Sequence, residues 1–272
     1  MGYFRPFRVL VLVAAATALF GAAPLRAQDE AGGASASDLA KLSQNPVGNV
    51  YNLPFQNNAN FKDGDLTSNF LNIQPVIPVT IGKINLINRG IIPVGYQSEV
   101  VAGEGSSSGL GDITYEGLLS PAAPGKVIFG GGVALIAPTA TETSLGKGKW
   151  QAGPAVIVLT MTGPWVLGAL AQNTWSFAGD ADRADVNFLF SQIFINYNIK
   201  NGWYLTTSPI ITADWKLEDD KWTVPLGGGA GKVQPIGKIP FDFQIQAFYN
   251  VVKPDFAADW SFRIQIKPMF PK

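Results

Sequence analysis

From residue 46 onward the chain is written in long stretches that alternate apolar and polar residues with a period of two. That period marks β-strands whose two faces meet different surroundings. The last stretch is the cleanest, with Trp260, Phe262, Ile264, Ile266 and Phe270 on one face and Ser261, Arg263, Gln265 and Lys267 on the other. Before it, Phe241, Phe243, Ile245, Ala247, Tyr249 and Val251 oppose Asp242, Gln244, Gln246 and Asn250. Trp165, Leu167, Ala169, Ala171, Trp175 and Phe177 oppose Gly168, Gln172, Thr174 and Ser176 in the same way. Leu71, Ile73, Ile77, Val79 and Ile81 oppose Asn72, Gln74 and Thr80.

Twelve segments follow this rule, near 46–56, 66–81, 83–97, 111–120, 126–138, 149–161, 163–178, 185–199, 202–217, 220–231, 238–253 and 258–270. Their connections alternate in length. Longer or polar links are expected at 57–65, 98–110, 139–148, 179–184, 218–220 and 254–257, and short turns near 82–83, 121–125, 162–163, 200–202 and 232–237. An even strand number with long loops at one end and short turns at the other is the plan of an outer-membrane barrel.

A soluble β-sandwich alternates too, so length has to decide. The segments run 10–16 residues, whereas ordinary strands have about 5–6 and membrane strands need about 9–11. Tryptophans mark the ends: Trp165 and Trp175 share a face ten residues apart, and Trp203 and Trp215 twelve apart. At about 3.3 Å per residue and a tilt near 45° these separations span roughly 23 and 28 Å, bracketing the apolar band of about 25 Å between aromatic girdles. The expected fold is therefore all-β, an antiparallel transmembrane β-barrel of about 12 strands over 46–272, with Trp165, Trp175, Trp203, Trp215, Trp260 and Phe270 as membrane-interface aromatics. Only 15% of residues are charged and 47% are hydrophobic, against about 25% charged in soluble domains. Surface facing lipid accounts for that balance.

The first 27 residues read as a leader. Arg5 and Arg8 precede an apolar run from Val9 to Phe20, and Leu25-Arg26-Ala27 suits cleavage. The run is too short for a spanning helix of about 20 residues, and an uncleaved anchor is the alternative. Loss of Arg5, Arg8 and Arg26 leaves 17 Lys and Arg against 20 Asp and Glu, a net charge of −3. That charge offers no basic patch for nucleic acid. Residues 28–45 read as a flexible periplasmic segment in which Asp38 to Leu42 can form one helical turn.

The chain has no His and no Cys. That removes imidazole acid–base chemistry, thiol nucleophiles and the usual zinc and haem ligands. No cofactor and no metal centre are expected. Asp180, Asp182 and Asp185 share one loop without the spacing of a calcium loop. The runs Gly130-Gly131-Gly132 and Gly227-Gly228-Gly229 precede no helix, so they read as kinks or close contacts rather than a phosphate cradle. Pro75, Pro78, Pro93, Pro154, Pro209 and Pro225 lie inside segments. Each lacks a ladder donor, so a bulge or edge is expected there.

The runs PFQNN (54–58), LNIQPVIPV (71–79), RGIIPVGYQ (89–97), GLGDI (109–113), APTAT (137–141), LGKGKWQAGP (145–154), GPWVLGALAQNTWSFAGDADRADVN (163–187), KWTVPL (221–226) and FRIQIKPMFPK (262–272) are similar to a bacterial outer-membrane family. Its members are often mislabelled "neuromedin U" and are grouped with outer-membrane proteins tied to phenol meta-pathway degradation. The resemblance spans nearly all of the mature chain and implies an outer-membrane transporter.

Charges on the polar faces, namely Arg89, Glu116, Asp214, Asp242, Arg263 and Lys267, are the candidate lumen lining. The functional expectation is a channel for passive or facilitated diffusion of small solutes, aromatic or hydrophobic ones included, narrowed by these residues and by segment 28–45. Expected partners are outer-membrane lipid and lipopolysaccharide, the barrel-assembly machinery and the solute. One alternative is a non-conducting barrel that binds a partner through its loops. A lipid-acting barrel enzyme stands behind both, because such enzymes rely on a histidine base that this chain lacks.

Overall fold

The computed structural model describes residues 35–99 and 105–271. The leader expected over 1–27 lies outside them. Sixteen strand segments follow one helix among the described residues. In order they are α1 (Ala36–Ser43), β1 (Val50–Asn52), β2 (Phe55–Lys62), β3 (Asp65–Ile73), β4 (Val76–Ile81), β5 (Ile84–Gln97), β6 (Ser107–Leu110), β7 (Ile113–Pro121), β8 (Val127–Ala137) and β9 (Lys149–Thr162). There follow β10 (Trp165–Gly179), β11 (Asn187–Asn198), β12 (Trp203–Thr207), β13 (Ile210–Asp214), β14 (Trp222–Ile236), β15 (Ile239–Val252) and β16 (Trp260–Pro271).

Four pairs (β1 and β2, β3 and β4, β6 and β7, β12 and β13) each make one broken stave, so the wall has twelve staves. Every neighbour is antiparallel and sequential, and β16 returns to pair with β1 and β2, which closes the sheet. Closure leaves no free edge, as a bilayer requires of any strand structure within it.

Three of the four breaks coincide with proline: Pro54, Pro75 and Pro209. A proline removes one ladder donor but keeps its acceptor. Pro54 accordingly still accepts the Gln74 N–H at 2.8 Å, and Pro75 the Gly90 N–H at 3.0 Å. The wall bends at these points and the inward–outward alternation carries through. Gln74 and Val76, on either side of a break, are both buried, while Ile77 and Val79 are exposed. Pro225 sits at a register shift between β14 and β15. Pro78, Pro93 and Pro154 lie within continuous strands. The β9–β10 ladder skips Pro154 and Gly153, and a Cβ on Gly153 would lie 1.7 Å from the Asn173 carbonyl oxygen.

The end where β1 starts and β16 finishes also carries the turns at 82–83, 122–126, 163–164, 199–202 and 237–238. This is the periplasmic end in an outer-membrane barrel. The opposite end carries links at 63–64, 98–106, 138–148, 180–186, 215–221 and 253–259. The first of these corrects the sequence expectation of a long link at 57–65. Strand β2 runs on to Lys62, and only Asp63-Gly64 remains as a turn, both at positive φ (53° and 89°). Asp-Gly fits a two-residue hairpin that needs two such residues, a stronger signal than the run of asparagines before it.

Side chains are distributed inside out. Gln, Asn, Ser, Thr and charged residues fill much of the buried set, and Trp, Phe, Ile, Val and Leu dominate the large exposed side chains. The interior is not uniformly polar, however. Ile87, Leu118, Ile157, Leu159, Val166, Leu170 and Phe194 form an apolar cluster on the inner wall of the periplasmic half.

The second correction concerns 28–45. From Ser35 onward this stretch is an eight-residue helix packed inside the wall, not a flexible tail. The Ser35 hydroxyl accepts the Asp38 N–H at 3.1 Å, which caps the first turn, and Pro46 bars continuation beyond the last. Leu39 and Ala40 are buried against Val50, Tyr204, Val233 and Met269. Burying a leucine contributes roughly 1.5–3 kcal/mol, which a short helix free in water lacks.

Candidate functional site

The lumen is built from the inward residues of the staves, and three cavities stack along it. Outermost is a vestibule of about 740 Å³, whose walls include Phe70, Pro93, Ile136, Leu145 and Phe188. The 138–148 link folds across it. Asp112, at the break between β6 and β7, accepts the backbone N–H of Ala140 at 3.2 Å and of Lys147 at 2.6 Å. From the far side Arg183 donates to the carbonyls of Thr143 (3.1 Å) and Gly146 (2.5 Å). A carboxylate and a guanidinium thus pin the loop by its backbone, and Leu145 is buried beneath it.

The middle cavity, about 220 Å³, shares Thr114, Ile136 and Phe188 with the vestibule. Arg89 and Glu116 stand in its wall, as adjacent inward residues of β5 and β7. Arg89 Nη1 lies 3.1 Å from Glu116 Oε2, and Nη2 donates to Gln74 Oε1 at 2.6 Å. Glu116 is only 1% exposed, so this pairing is what makes a buried carboxylate tolerable. Gln56, Gln74, Arg89 and Gln192 then form the shared wall with a lower cavity of about 150 Å³.

The lower cavity is bounded by the C-terminal end of α1, from Ser43 to Pro46. Here Lys267 Nζ lies 3.1 Å from Asp242 Oδ2 and donates to the Ser43 carbonyl at 2.6 Å. The Ser43 hydroxyl donates to Asp242 Oδ2 at 2.9 Å, and Tyr204 Oη donates to Oδ1 at 2.5 Å. Gln44 and Asn198 exchange two amide hydrogen bonds at 3.0 Å. The helix is therefore held by polar contacts to β11, β15 and β16, beside its apolar contacts.

Arg263 is buried but lines none of these three cavities. Its Nε donates to Asn58 Oδ1 at 3.0 Å and its Nη1 to the Ser208 carbonyl at 2.9 Å, and the guanidinium lies 5.1 Å above the Phe248 ring. Asp214 sits on the lumen face beside Phe188 at the outer end of β13, where its carboxylate accepts the Lys216 N–H at 3.0 Å. Of the six charges expected in the lumen, Arg89 and Glu116 come together, Lys267 and Asp242 come together, and Arg263 and Asp214 each stand apart from the other five. Asp180, Asp182 and Asp185 do not converge: Asp180 accepts the Asp182 N–H, and Asp185 pairs with Lys149 at 3.7 Å.

On the outer surface, Trp165, Trp203 and Phe270 lie at the periplasmic ends of their staves, and Trp175, Trp215 and Trp260 toward the other end. Neighbours reinforce them. Trp165 packs on Tyr197 (ring centroids 4.8 Å apart), Trp215 on Trp222 (5.4 Å) and Tyr249 on Trp260 (4.9 Å). Such pairs contribute about 0.5–1.5 kcal/mol each beyond burial.

Sequence reasoning from charge missed the uncharged part of the lining. Gln74, Gln172, Gln192, Ser208 and Gln246 occupy inward positions, and their only signal is parity within the alternation. Phe248 also points inward among polar neighbours, where parity alone would have found it.

Comparison with known proteins adds a family and a fold. A family described as "Putative MetA-pathway of phenol degradation" matches residues 54–251. No curated protein matches the chain in sequence. Among solved structures, an outer membrane channel from Pseudomonas putida F1 is 17% identical, with 81% of this chain and 94% of that one covered at a TM-score of 0.62. The outer membrane phospholipase A of Escherichia coli is 11% identical, covering 88% and 99% of the two chains at 0.44. Salmonella typhi OmpF is 9% identical, covering 81% and 96% at 0.38. The first of these shows the shared architecture, a closed antiparallel barrel of the Gram-negative outer membrane.

Proposed function

The chain belongs to the family described as "Putative MetA-pathway of phenol degradation", and on that footing we propose that it is an outer-membrane channel through which small solutes diffuse. The observation that carries this reading is the series of three cavities, each sharing wall residues with the next, from beneath the pinned loop down to α1. Four of the lumen charges are already neutralised in two ion pairs, and the vestibule wall is rich in apolar side chains. A small solute with an apolar body suits that lining better than a strongly charged one.

In this reading Arg89, Glu116, Asp242, Arg263 and Lys267 set the bore, Asp214 stands at the outer rim, and α1 narrows the periplasmic mouth. The belts of Trp165, Trp203 and Phe270 and of Trp175, Trp215 and Trp260 seat the wall in lipid, the outer belt against lipopolysaccharide. The assembly machinery receives β16. Two features weigh against the other readings. The 138–148 loop is tied down over the lumen instead of standing free for a partner, and a chain without His or Cys lacks the usual activating groups for a nucleophile.

The test is purified protein in proteoliposomes, challenged with small uncharged solutes of graded size and polarity, together with single-channel recording. Solute-dependent swelling and discrete conductance steps are expected. A preparation that retains its folded, heat-modifiable gel band but shows neither overturns the channel reading.

A further inference from the structure

The middle cavity contains a side chain that the diffusion reading leaves unexplained. Gln172, an inward residue of β10, is only 8% exposed, yet its terminal amide makes no hydrogen bond among the described residues, and its Oε1 is buried without a partner. A buried amide with no protein partner has to be met by whatever occupies the cavity, water or solute. Gln172 lines the cavity directly. Its last torsion is soft and two-fold, so either the oxygen or the NH₂ group can be turned to the cavity.

The surroundings specify what it would meet. Across the β10–β11 ladder Gln172 stands beside Phe190, and Thr174 beside Phe188. On the β9 side its partner is Ala155, which leaves room next to the amide. Ile91, Ile136 and Ile210 extend this apolar side, while Gln56, Asn72, Gln74 and Gln192 make the rest of the wall polar. The charges in this cavity, Arg89 and Glu116, are paired with each other, so an incoming anion would find no free cation and would bear its full desolvation cost. At about 220 Å³ the space exceeds the cavity of about 150 Å³ that accommodates one benzene in an engineered protein core.

We propose that this cavity is a resting site for a neutral single-ring solute bearing a hydroxyl group, with the ring against Phe188 and Phe190 and the hydroxyl on the Gln172 amide. The hydroxyl matches that amide in both senses, donating to Oε1 or accepting from Nε2. The site deepens the channel reading, on which it rests, by giving the path one stop that selects a chemical group.

The experiment measures binding and passage separately. Calorimetry of the full chain in nanodiscs, with phenol, toluene and benzoate as probes, reads the site, and proteoliposome swelling reads the channel. Gln172→Leu should weaken phenol binding about fivefold to tenfold, the worth of one neutral hydrogen bond, and leave toluene within twofold. Benzoate should fail to displace phenol from the unmodified protein. A second measurement needs no variant: binding of 4-nitrophenol should follow its protonated fraction and vanish as the pH rises and the phenolate forms. Equal losses for phenol and toluene in Gln172→Leu overturn the site, as does phenolate or benzoate binding as tight as phenol. Selective binding without swelling overturns only the channel, and swelling without hydroxyl-selective binding overturns only the site.

Discussion

At the scale of single residues, the lumen holds buried charges that are stable only as pairs. Glu116 is the clearest case, because the Arg89 guanidinium is its one hydrogen-bond partner among the described residues. Glu116→Ala leaves that guanidinium in the lumen wall without a carboxylate, with Gln74 as its remaining acceptor among the described residues. Removing one member of such a pair costs about 3–5 kcal/mol, so the urea midpoint of the folded barrel should fall markedly, and restoring neutrality with Arg89→Met in the same chain should recover much of the loss. A double variant no more stable than the single one would show that the pair has no special role. The identity of these charged residues was legible in the sequence, since a charge on the polar face of a membrane strand has only the lumen to point into. Their pairing was not: Arg89 and Glu116 are 27 positions apart, and only the antiparallel register of β5 with β7 makes them neighbours. Gln172 was legible as an inward residue but not as an unpartnered one, because that depends on what its cross-strand neighbours fail to offer.

At the scale of elements, α1 and the extracellular links behave as separable parts. Deleting 35–45 removes the helix and its contacts to Asp242, Lys267 and Asn198 but touches no ladder bond of the wall. The barrel should keep its heat-modifiable gel shift while its single-channel conductance rises severalfold; an unchanged conductance would mean that the helix does not lie across the path. Among the links, Asp259 accepts the Asp63 N–H at 2.8 Å and lies 3.2 Å from Lys253 Nζ. The Asp63 N–H first, and Lys253 next, hold its carboxyl below the usual carboxylate range. A lowered folded-state value means that this tether is complete above the ordinary carboxylate range and is lost as the pH falls below that range through the lowered folded-state value. Limited proteolysis at 253–259 should therefore quicken on acidification, and Asp259→Asn should quicken it at neutral pH. The twelve staves were readable because period two survives a proline: Gln74 and Val76 stay inward across the break at Pro75. The breaks were half readable, since Pro75 and Pro209 were flagged but Gly111 carries no such mark. The helix was underread because its stability comes from Leu39 and Ala40 meeting Tyr204 and Met269, contacts that no local pattern records.

At the scale of the whole molecule, the exterior carries exposed apolar side chains with tryptophans toward both ends, the arrangement that the proposed seating in a bilayer calls for. Tryptophan fluorescence in bilayers with bromine placed near the headgroups should be quenched more strongly than with bromine at the chain ends, since Trp165, Trp175, Trp203, Trp215 and Trp260 all lie toward stave ends; deeper quenching by the terminal bromine would misplace both belts. The seam where β16 meets β1 and β2 joins residues more than 190 positions apart, so by the entropy of loop closure it is the costliest pairing to form. The same strand carries Lys267, which grips the Ser43 carbonyl and the Asp242 carboxylate. Whatever loosens that seam therefore also loosens the hold of the wall on the C-terminal end of α1.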